Sequence, residues 1–139
     1  MGNLEAAQVL LAKAQQDEYV LAQFADNPDA ADETFGFHAQ QAVEKLLKAA
    51  LVAHGVVYPR IHRLGELMDL ARSHGLAVPE EFDTLHRLTP FAVEYRYEFF
   101  GEEVEKPLDR RAVQDEVRRL RAWAEAWLAE RKEPNDDPN

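Results

Sequence analysis

The chain has 139 residues, of which 46% are hydrophobic, no cysteine, and a formal net charge of −10. This length and apolar share suit one domain around one core, and the absence of cysteine excludes disulfides, thiolate metal sites and cysteine nucleophiles. The acidic balance argues against a non-specific nucleic-acid coat, which needs cations to displace counterions from phosphates.

The start of the chain carries Glu5 and Lys13 around a short apolar run. It lacks the basic opening and long apolar core of a signal peptide. No stretch approaches the ~20 apolar residues of a membrane span. The expected location is therefore cytoplasmic, in a reducing compartment and without a membrane partner. The charge is unevenly spread. From His38 to Arg63 the charged groups sum to +3, so the rest of the chain carries −13.

Strand signals are nearly absent, and helical periodicity recurs along the chain. The first helix is expected from about Leu4 to Phe24, with Ala7, Leu11, Ala14, Leu21 and Phe24 on one face. Asn27-Pro28-Asp29 breaks it, and Asp32 is a candidate cap for the next helix. The second helix is expected from about Glu33 to His54, stopped by Gly55. Val43, Leu46, Leu47, Ala50 and Leu51 give it a broad apolar side. The third runs from about Arg63 to Ser73 before Gly75, with Leu64, Leu67, Met68 and Ala71 inward. The fourth begins near Pro79, is kinked or split at Pro90, and resumes towards Tyr97. The fifth runs from about Asp109 to Arg131, with Val113, Val117, Leu120, Trp123, Trp127 and Leu128 as its stripe. The polar, proline-containing tail 132–139 is expected to be disordered. The fold class is all-α, an up-and-down bundle of about five helices occupying 1–131 as one domain.

The second helix also carries candidate chemistry. His38, Gln41, Lys45 and Lys48 are three, four and three residues apart, so they share one side, away from most of the leucines. An imidazole, an amide and two ammonium groups in a row suit a phosphate, a nucleotide or a carboxylate. From spacing alone, a solvated polar face is the commoner explanation. Arg60, His62 and Arg63 could extend an anion-binding surface, or be ordinary loop solvation. Tyr95-Arg96-Tyr97 could stack or fork onto a phosphate or carboxylate, or form a structural aromatic pair around an arginine. The histidines show no metal-ligand spacing, so no metal and no cofactor are expected. There is no glycine-rich phosphate loop and no nucleophile elbow. Trp123 and Trp127 read as core or dimer contacts.

The run Phe37-His38-Ala39-Gln40-Gln41-Ala42-Val43-Glu44-Lys45, continued by Leu46, Leu47, Lys48 and Ala49, resembles the second-helix signature of HEPN domains, the higher eukaryote and prokaryote nucleotide-binding family. His62 with Leu64 and Leu67 resembles the family's third-helix landmark, and Arg96-Tyr97 its late arginine–tyrosine–proline element. The resemblance spans about Leu4 to Leu128. It implies a helical bundle, frequently a homodimer, and in many prokaryotic members a minimal nucleotidyltransferase partner in toxin–antitoxin-like pairs. It also implies, in several branches, metal-independent ribonuclease activity from an arginine followed four to six residues later by a histidine. Here Arg96 is followed by Tyr97, Glu98, Phe99, Phe100, Gly101, Glu102 and Glu103, and no arginine in the chain has a histidine at that spacing.

The resulting expectation is a nucleotide-, RNA- or partner-binding module using His38, Gln41, Lys45, Lys48, His62, Arg63, Arg96 and Tyr97. The alternatives are a ribonuclease with a rearranged site built on Arg96 and His38, or a purely structural dimer. By analogy with related pairs, an exposed Tyr97 hydroxyl could accept a nucleotidyl group from a partner.

Overall fold

More than half of the 22 residues of α2 (Asp32–Ala53) are buried, and this helix is the axis of the computed structural model. The structure describes residues 2–58, 60–61, 63–92 and 107–131. Around α2 pack α1 (Asn3–Phe24), α3 (Leu64–Ser73), a 3-10 helix (Glu80–Phe91) and α4 (Arg110–Arg131). No strand occurs among the described residues.

The periodicity explains why α2 is central. Phe35, Ala39, Ala42, Val43, Leu46, Leu47, Ala49, Ala50 and Leu51 are all fully buried and cover more than one face. Each large side chain withdrawn from water contributes about 1.5–3 kcal/mol. Leu21 of α1, Leu64 and Leu67 of α3, Phe82, Leu85 and Leu88 of the 3-10 helix, and Val113, Val117 and Leu120 of α4 close the same core.

Two of the helix ends follow one rule. Gly55 (φ 80°) and Gly75 (φ 88°) adopt the left-handed conformation just past α2 and α3. In each case the next residue, Val56 or Leu76, returns its N–H to the carbonyl of Leu51 or Ala71 and buries its side chain. That is the Schellman closure, which satisfies end carbonyls and pins an apolar residue under the helix.

The cap of α2 differs from expectation. Asp32 does not cap α2; Ala31 holds that position, and Asp32 lies in the first turn. Its carboxylate instead accepts from the Leu108 backbone N–H (3.0 Å) and Arg110 Nε (2.9 Å) across the fold. Arg110 also donates to the carbonyls of Phe24, Asn27 and Ala30. One guanidinium thus satisfies the breaker between α1 and α2 and fastens it to α4. Asp109 caps α4 through the Ala112 N–H.

The fourth element begins after Pro79, as the proline suggests, but it is a 3-10 helix, with Pro90 one residue before its end. The resumption towards Tyr97 lies outside the described residues, as does the tail 132–139. The tight helix works because Phe82, Leu85, Leu88 and Phe91 recur every three residues and all point inward. Phe91 lies directly against α2. A Cβ built on Gly36 would sit 2.5 Å from Phe91 Cδ1, so only glycine permits this approach.

Candidate functional site: the polar seam on the second helix

The stripe on α2 is half-buried at its border with α1. Asp17 of α1 is the residue that organises it. Its side chain is 9% exposed, and both oxygens are engaged. His38 Nδ1 lies 2.9 Å from Oδ1, and Lys45 Nζ donates to Oδ2 at 2.6 Å. One turn further on, Lys48 Nζ donates to Glu44 Oε2 at 2.9 Å. Glu44 Oε1 accepts from Gln40 Nε2 (2.8 Å), and Gln40 Oε1 accepts from Gln41 Nε2 (2.7 Å). Lys48 also lies 5.2 Å from the centre of the Tyr58 ring.

These contacts change the chemistry that spacing suggests. Lys45 and Lys48 are each paired with a carboxylate of low exposure, Asp17 and Glu44. With a neutral imidazole, those two pairs carry no net charge. The stripe is therefore not a bare cationic row. It is a chain of oriented hydrogen bonds whose outer atoms reach solvent: the Lys45 side chain is 24% exposed and that of His38 is 29%. An ammonium has three donors, and Lys45 uses one on Asp17.

Asp17 and Gln40 escaped the sequence reading, although a signal exists. Asp17 lies three residues after Ala14 and four before Leu21, inside the apolar face of α1. Gln40, fully buried, lies three before Val43 and seven before Leu47. A polar residue in an apolar row must find a partner or cost the fold its desolvation.

The other predicted residues lie elsewhere. Arg63 is the exposed residue preceding α3. It lines a shallow groove of about 460 Å³ with Glu66, Asp69, His86, Thr89 and Pro90. Thr89 Oγ1 accepts the Leu64 N–H, so the 3-10 helix caps α3 from outside. His62, Arg96 and Tyr97 fall outside the described residues. No cluster of three or more histidine, aspartate or glutamate side chains fit for a metal occurs among the described residues. No helix there is long and apolar enough to cross a membrane.

Next to Asp17, Glu18 faces α4. Arg121 Nε donates to its Oε1 at 2.9 Å, while Oε2 is buried without a partner among the described residues. Burial pushes the Glu18 carboxyl above its ordinary value, and the Arg121 guanidinium offsets only part of that. Trp123 and Trp127 stack at 6.0 Å, with Arg131 over the Trp127 ring at 3.5 Å.

The family model described as HEPN domain matches residues 29–129, from the breaker before α2 almost to the end of α4. The chain belongs to the HEPN family. The match contains the whole α2 seam except Asp17, which α1 supplies from outside it. Neither the curated proteins nor the solved structures gave a significant match to this HEPN domain.

Proposed function

We propose that this HEPN domain is a binding module that holds a nucleotide or an RNA end on the outer margin of α2 without cleaving it. The observation that carries this reading is the missing catalytic pair. No arginine in the chain is followed four to six residues later by a histidine, and Glu98, Glu102 and Glu103 follow Arg96 in sequence. Phosphodiester cleavage requires a proton-transfer group beside a cation at the transition state. His38 and Lys45, both held by Asp17, present an imidazole and an ammonium that can hydrogen-bond a phosphate or a sugar, which serves recognition. In the cell the module would work as the HEPN half of a toxin–antitoxin-like pair, as a homodimer with a minimal nucleotidyltransferase, with Tyr97 as the acceptor of a nucleotidyl group. Calorimetry with nucleotides and short RNAs, together with co-purification from the native host, tests the reading. Silence in both refutes it.

A second reading has one observation in its favour. The Asp17–His38 contact is the carboxylate–imidazole pairing that hydrolases use to orient a base. A ribonuclease with a rearranged site would cleave RNA without metal, and would lose that activity in Arg96→Ala and His38→Ala variants. Intact RNA after long incubation with the pure protein excludes it.

A further inference from the structure

His38 has two ring nitrogens, and the fold commits one of them. Asp17 is paired with the Lys45 ammonium, and an ionised carboxylate only accepts hydrogen bonds. Nδ1, at 2.9 Å from Asp17 Oδ1, must therefore carry the proton. When the imidazole is neutral, Nε2 then carries the lone pair. Nε2 has no hydrogen-bond partner among the described residues, and it is not a buried orphan. The outward atom of the seam is thus an acceptor, beside the Lys45 ammonium, which spends one of its three N–H donors on Asp17 among the described residues.

We infer that Asp17 is a positioning residue that fixes the His38 tautomer, so that the α2 seam takes a ribonucleotide: Nε2 accepts a ribose hydroxyl while Lys45 donates to the neighbouring phosphate. The inference rests on the binding function proposed above and specifies its ligand. An acceptor facing a ribose hydroxyl distinguishes ribose from deoxyribose, because the deoxy analogue forfeits that hydrogen bond. A bare ammonium row would bind both sugars alike, through phosphate alone.

Lys45 makes the role of Asp17 testable with a near-isosteric change. In Asp17→Asn, the Lys45 ammonium has only donors to offer and claims the amide oxygen. The amide NH2 then faces Nδ1, which must accept. The proton moves to Nε2, and the outward atom changes from acceptor to donor. The same substitution on an orienting carboxylate reverses the tautomer in serine proteases.

The experiment has two arms on the full chain. Imidazole nitrogen shifts, measured by NMR without ligand, report the His38 tautomer in the wild type and in Asp17→Asn. The expected result is Nδ1–H in the former and Nε2–H in the latter; the same tautomer in both overturns the positioning role. Calorimetry then compares AMP with 2′-deoxy-AMP and 3′-deoxy-AMP. The wild type is expected to bind one deoxy analogue about tenfold more weakly than AMP, and Asp17→Asn to lose that preference. Equal binding of all three by the wild type overturns the ribose assignment and leaves the nucleotide-binding function standing. Binding of none overturns that function and the ribose assignment together, while the NMR arm still decides the tautomer.

Discussion

Gly36→Ala adds one methyl group at the tightest point of the fold. The new Cβ would lie 2.5, 2.6 and 2.7 Å from Phe91 Cδ1, Cγ and Cε1. Carbon atoms settle at about 3.5–4.0 Å, so ring and helix must part by about 1 Å. Phe91 is 2% exposed and ends the 3-10 helix, so the ring has little room to yield. Overpacking of this kind costs about 1–3 kcal/mol. Against it stands a gain of about 1 kcal/mol for replacing glycine by alanine inside a helix. The expected net result is a loss of up to about 2 kcal/mol, seen as a lower urea midpoint at unchanged slope. Combining it with Phe91→Leu should recover part of the loss, with a coupling of about 1 kcal/mol in the double-mutant cycle. Stabilisation by about 1 kcal/mol, as for any unencumbered helical glycine, would refute the close approach.

Asp17→Ala strands the His38 and Lys45 donors, so urea denaturation should show a loss of about 1–3 kcal/mol; a change within ~0.5 kcal/mol would make the seam a loose surface contact. Arg110→Lys keeps the charge but cannot reach three carbonyls and Asp32 together, and should cost about 2 kcal/mol, with faster hydrogen exchange across the α1–α2 turn. Thr89→Ala removes the outside cap on α3, and about 1 kcal/mol of stability with it. Glu18 titrates with a raised folded-state pKa, so its contribution is fully present below the ordinary carboxyl range and is lost as the pH rises through the folded value. The stability of the wild type relative to Glu18→Gln should accordingly fall as the pH rises above the ordinary carboxyl range; a difference that grows with pH would contradict the burial-driven shift.

The helices were legible because their information is local. Spacings of three, four and seven place Val43, Leu46, Leu47, Ala50 and Leu51 on the buried side of α2, and Gly55 and Gly75 mark helix ends by their backbone freedom alone. The family signature on α2 is likewise continuous in sequence. Tertiary structure alone decided which groups meet. Asp17 lies 21 residues from His38 and 28 from Lys45, yet one carboxylate joins them. No periodicity within α2 could supply that partner, so the stripe reads as cationic in sequence and as neutralised pairs in space. Asp32 shows the same limit: its position before an apolar run suits a cap, but Leu108 and Arg110 claim its oxygens from the far end of the chain. Helix periodicity fixes the direction in which a side chain points. What it finds there, and so which atom of His38 faces outward, depends on how α1 packs against α2.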